Sequence, residues 1–103
     1  MLFRSNGVRV GLGTDIAGGY NIDIMACMRQ AVAVSRMREG TRIITNASRG
    51  AELDGGKALS IDWKEALYLA TVGGAQALGL GAGAGTFIVG APFDAQSSEY
   101  IGL

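Results

Sequence analysis

The chain has 103 residues, nine Lys and Arg against nine Asp and Glu, one Cys and no His. That length allows one domain but not a whole (β/α)8 barrel, which takes about 250 residues, and the 49 % hydrophobic content excludes a disordered chain. Zero net charge leaves no electrostatic footprint for nucleic acid or an anionic membrane. One cysteine makes neither an internal disulfide nor a paired-cysteine zinc site, and without His there is no His-based triad or His-rich zinc site.

In chain order, the first residues, Met1-Leu2-Phe3-Arg4-Ser5-Asn6, lack the apolar core of a signal peptide, and no window reaches the roughly 20 apolar residues of a membrane span. The expectation is a soluble, cytoplasmic protein. Asn6-Gly7 signals a turn, and Val8-Arg9-Val10-Gly11-Leu12 reads as a short strand. Leu12 runs directly into Gly13-Thr14-Asp15 and then Gly18-Gly19, small residues and an acid at a strand's C-terminal end, where sites are commonly built. A helix is predicted from Ile22 to about Glu39, with Asn21 as N-cap, Asp23 in the first turn and Gly40 as its stop. Met25, Met28, Ala31 and Val32 mark its apolar face, which Ala26, Cys27, Ala33 and Val34 widen.

Residues 41–58 read as a loop or insert, with Ile43-Ile44-Thr45 as the strand-like piece. Ser60 is the expected cap of a second helix, with Asp62 and Glu65 in its first turn and Ile61, Ala66, Leu67, Leu69 and Ala70 on its apolar side. A third helix is expected over Gly74 to Leu78, ended by Gly79. Residues 81–85 form a glycine-rich turn, Thr86-Phe87-Ile88-Val89 a short strand, and Gly90-Ala91-Pro92 a turn before Phe93-Asp94-Ala95.

Gly11-Leu12-Gly13 follows a strand as a dinucleotide-binding turn would, but Ile16 stands where that fingerprint needs a small residue. Gly79, Gly81 and Ala84 have the spacing but follow a helix, so these glycines read as turn formers. Asp15 carries two readings: a ligand-binding carboxylate in a small-residue pocket, or an Asp that caps the next turn. Cys27 and the methionines read as core, Arg29 and Arg36 as a solvated or inter-helix face, Asp94 as structural, and Trp63 and Tyr68 as core aromatics.

Val10-Gly11-Leu12-Gly13-Thr14-Asp15-Ile16-Ala17-Gly18-Gly19-Tyr20 resembles the eighth-strand segment of guanine deaminases, members of the zinc-dependent amidohydrolase superfamily. Met28-Arg29-Gln30-Ala31 and Val34-Ser35 continue the likeness, as do Glu65-Ala66-Leu67-Tyr68-Leu69-Ala70-Thr71 and Gly73-Gly74-Ala75-Gln76-Ala77-Leu78-Gly79-Leu80. Gly85 to Gly90 with Phe93-Asp94-Ala95 resembles the family's return to a small β-sandwich. The likeness covers most of residues 7–40 and 59–95; residues 41–58 and the tail 96–103 depart from it.

The resemblance implies an α/β fold class: the last β/α unit of a (β/α)8 amidohydrolase barrel, C-terminal helices and a short return to a β-sandwich, as a mostly helical fragment. Its parts would be the eighth strand and helix (1–40), the insert (41–58), the helices (59–80), the return (81–95) and the divergent tail (96–103). It further implies that Asp15 is a ligand of one zinc ion, beside histidines supplied from upstream of this chain, and takes part in catalysis. Gly13, Gly18 and Gly19 would form the substrate-proximal loop. The implied reaction converts guanine to xanthine and ammonia through a zinc-activated water, in an enzyme that is commonly a homodimer. With a single ligand of its own, the isolated chain is expected neither to hold zinc tightly nor to deaminate guanine, and with its neighbours missing it is expected to fold poorly. The alternatives are a related amidohydrolase acting on another purine, a pterin or a triazine, and a non-catalytic remnant or complementing subunit.

Overall fold

In the computed structural model, residues 6–50, 58–95 and 97 are described. They form a 3-10 turn, Ile16–Gly18, and three helices: α1 (Ile24–Ser48), α2 (Trp63–Ala70) and α3 (Val72–Ala77).

Helix α1 begins two residues later than expected, because Asp23 rather than Asn21 caps it. The Asp23 carboxylate accepts from the Met25 and Ala26 N–H groups at 2.9 and 3.2 Å, while Asn21 Oδ1 accepts the Asp23 N–H at 2.8 Å. Gly40 does not stop the helix. The chain runs on through Ile43-Ile44-Thr45, expected as strand-like, to Ser48. The physical stop is Gly50, whose φ of 64° is the left-handed conformation that ends helices. Thus the first eight residues of the predicted insert are helix; residues 51–57 lie outside the described part.

Helix α2 is capped by Asp62, not Ser60. Asp62 Oδ1 accepts the Glu65 N–H at 2.9 Å and Glu65 Oε2 accepts the Asp62 N–H at 3.3 Å, a reciprocal capping box. Helix α3 starts at Val72, two residues before the expected Gly74. It ends as expected at Gly79, whose φ is 70°. The Gly79 N–H donates to Gln76 O and the Leu80 N–H to Ala75 O, the paired bonds of a glycine-terminated helix.

The core sits where α2 crosses α1. Ile61, Ala66 and Leu69 are buried, and Met28, Ala31 and Val32 of α1 pack against them with Val10, Leu12 and Tyr68. Met25 and Trp63, expected in the core, are instead largely exposed. Both lie at the rim of a groove of ≈ 420 Å³ between α1 and α2, which Arg29 and Arg36 flank. One clasp pins the segment before α2 to α1. Glu39 Oε2 accepts the Leu59 N–H at 2.7 Å, Glu39 Oε1 accepts from Arg42 at 2.7 Å, and Ser35 Oγ accepts the Ile61 N–H at 3.0 Å.

No strand is present among the described residues, against the expectation for 8–12 and 86–89. A strand is defined by a partner's ladder, and here the Leu12 N–H donates instead to the Leu69 carbonyl of α2, at 2.9 Å. Residues 83–91 close local turns, with Thr86 N–H on Gly83 O and Ala91 N–H on Ile88 O. The barrel and sandwich therefore stay expectations, while the mostly helical character is observed.

Candidate functional site

The extended segment ending at Leu12 is anchored from below. Val10 and Leu12 pack on the core, and Gly11 passes so close to Gly74 that a Cβ at 11 would lie 2.7 Å from the Gly74 Cα. This delivers residues 13–19 to the surface as a short, self-contained loop.

Asp15 occupies the left-handed region at φ 55°, ψ 20°, and Ile16 follows at φ 42°. Asp tolerates that conformation, whereas for a β-branched residue it is an outlier, and such strain gathers at functional sites. The loop is held by its own backbone and by Thr14. The Gly18 N–H donates to the Asp15 carbonyl at 2.9 Å, and the Ile16 N–H to Thr14 Oγ1 at 3.3 Å. Thr14, which was not singled out in the sequence, thus fills the capping duty expected of an Asp15 in a structural role. A hydroxyl two residues before an amide was the signal available. The Asp15 side chain itself makes no capping hydrogen bond, and the residue is exposed.

Gly18 folds back onto the Asp15 carboxylate and Gly19 onto the Thr14 backbone beside it. A Cβ at Gly18 would lie 2.5 Å from Asp15 Oδ2, and one at Gly19 would collide with the Thr14 carbonyl oxygen. Gly13 stands apart, since a Cβ there would meet nothing within 4 Å. The loop therefore brings Asp15, Gly18 and Gly19 together, with Gly13 at its open edge.

Asp15 fits one position in a metal's coordination shell, as an exposed carboxylate free of other duties. A complete shell is not built here: among the described residues no group of three or more His, Cys, Asp or Glu converges. Cys27 is half-buried, and its thiol donates to the Asn21 carbonyl at 3.8 Å. Neither Asp15 nor the three glycines line the groove between α1 and α2.

The arrangement is an exposed acid on a strained glycine loop at the end of an extended segment, followed by a helix. Residues 2–99 match the amidohydrolase family, and the chain belongs to it. It is similar to the guanine deaminases of Homo sapiens and Pongo abelii, each 42 % identical over 88 residues, covering 85 % of this chain and 16 % of the relative. Guanine deaminase of Dictyostelium discoideum is 35 % identical over 89 residues, covering 86 % of this chain and 17 % of the relative. The chain thus spans about a sixth of the length of the curated relatives it matches. No solved structure matches it.

Proposed function

We propose that the chain forms part of a hydrolase that deaminates guanine to xanthine and ammonia, with Asp15 at its catalytic centre. The observation that carries this reading is Asp15 itself: an exposed carboxylate, relieved of capping, on a strained loop, in a chain 42 % identical to guanine deaminases. The sequence holds no histidine, the commonest metal-ligating side chain. The remaining donors are accordingly assigned to polypeptide beyond these 103 residues.

Zinc, when bound, supplies a Lewis acid that lowers the pKa of a water to about 7. Asp15 has two carboxylate oxygens for two tasks. One would serve as a metal ligand; the other would accept a proton from the water that attacks guanine C2. The two protons of the water end on the ring nitrogen N3 and on the C2 amine, which leaves as ammonia as the water oxygen becomes the C2 carbonyl of xanthine. Gly13 would leave the end of the extended segment clear for the purine, and the 14–19 turn presents the acid without a side chain over it.

The test is Asp15→Asn in the holoenzyme, which keeps the shape and removes the charge and the base. Turnover of guanine is expected to fall by at least about 10²–10⁴-fold, the range of a lost general base. Near-normal turnover would overturn the assignment. A panel of amino-substituted purines, pterins and triazines, read as relative kcat/KM, checks the substrate, with guanine expected to lead.

A further inference from the structure

We propose that Gly18 is a positioning residue for Asp15: the missing side chain at 18 is what lets the carboxylate stand where it does. The proposal deepens the reading of Asp15 as a metal ligand and rests on it.

The backbone does not ask for glycine at this position. Gly18 is the last residue of the 3-10 turn and is not among the residues with positive φ. An alanine could adopt its conformation without strain. What excludes a side chain is Asp15. Apart from its chain neighbours and the turn's own backbone, the three atoms nearest to a Cβ at 18 are Asp15 Oδ2 at 2.5 Å, Cγ at 3.2 Å and Oδ1 at 3.7 Å, all of them the carboxylate. Gly19 differs in kind. A Cβ there would meet backbone, colliding with the Thr14 carbonyl oxygen and lying 2.9 Å from its carbon. Gly19 closes the turn, and Gly18 makes room for the acid.

A methyl group at 18 can be accommodated in two ways. Either the turn opens, breaking the 2.9 Å bond from the Gly18 N–H to the Asp15 carbonyl, or the carboxylate swings away. The carboxylate is the softer of the two. It is exposed and bound by no cap, so a change of staggered rotamer frees the space. The backbone would survive and the acid would point elsewhere. A carboxylate serving a metal must hold its geometry to within about 0.5 Å, so a side chain at 18 reaches the chemistry without touching substrate.

The experiment uses the holoenzyme loaded with Co²⁺, whose visible d–d bands report ligand geometry, in wild type, Gly18→Ala and Asp15→Asn. Gly18→Ala is expected to shift the bands and lower kcat by about 10–100-fold, the usual cost of disturbing a ligand's support. KM for guanine and the far-UV circular dichroism should stay near wild type. A thermal-stability cycle guards against a merely structural effect. Gly18→Ala should cost no stability in an Asp15→Ala background, where the carboxylate is gone. Equal losses with and without the carboxylate would overturn the proposal, as would unchanged bands in Gly18→Ala beside altered bands in Asp15→Asn. Unchanged bands in Asp15→Asn itself would instead overturn the ligand reading, and the proposal with it.

Discussion

At Gly11 a single hydrogen atom decides how the segment before the site lies on the helices. A Cβ there would come within 2.7 Å of the Gly74 Cα and 3.2 Å of its nitrogen, backbone atoms that cannot rotate away. The close approach lets the Leu12 N–H reach the Leu69 carbonyl and keeps Val10 and Leu12 on the core. Gly11→Ala is therefore expected to destabilise the protein by about 1–3 kcal/mol, the cost of overpacking. Gly13→Ala, where a Cβ meets nothing, should stay within about 0.5 kcal/mol. Urea denaturation midpoints of the two variants check the contrast. Asp15 was legible in the sequence because a strand-like run ended in small residues and an acid. Its left-handed backbone, the strained Ile16 beside it and the contact with Gly18 were not, since dihedral angles follow from how the whole loop closes.

At the scale of elements, capping chemistry explains most of what the sequence showed and most of what it misplaced. Gly40 and Gly50 look alike as helix stops, yet only Gly50 takes the left-handed conformation. Gly40 stays helical at a cost of roughly 0.5–1 kcal/mol relative to Ala. The turn that follows it contributes Arg42, whose guanidinium joins the Glu39 carboxylate at 2.7 Å. That carboxylate also receives the Leu59 N–H across 20 residues of chain. The hydrogen bond from Arg42 and then that from Leu59 hold the Glu39 carboxyl below its usual range. A lowered folded-state pKa means that the stabilisation is present above the unfolded value, about 4.3 for Glu, and is lost as pH falls through the lower folded value. Glu39→Gln is expected to reduce Tm at neutral pH and to flatten its fall on acidification below about pH 4.3. Equal acid slopes in variant and wild type would show that the clasp does not couple to stability.

For the whole molecule, the radius of gyration is 16.9 Å, against about 13 Å for a compact domain of this length. Little apolar surface is covered. Ile61, Ala66, Leu69 and Ala75 are the buried hydrophobic residues among those described, while Phe87 is 96 % exposed and Val89 fully so. Phe87 and Phe93 keep their rings 6.5 Å apart on that open surface. No described helix is long and apolar enough to cross a membrane. The free 103-residue chain is therefore expected to bind 8-anilinonaphthalene-1-sulfonate with strongly enhanced emission and to melt broadly. A sharp cooperative transition without dye binding would show these faces covered.

The sequence by itself determined the family, the acid at the end of the extended run, the helical character and the glycine that ends α3. These depend on residue types at short spacing, through caps, turns and local motifs. Only the tertiary structure decided that the Leu12 N–H bonds to a helix rather than a sheet, that α1 continues to Ser48, and that the Gly18 hydrogen faces the Asp15 carboxylate. Each of these turns on which distant or folded-back atoms share space, and pairing and close approach are properties of the assembled chain.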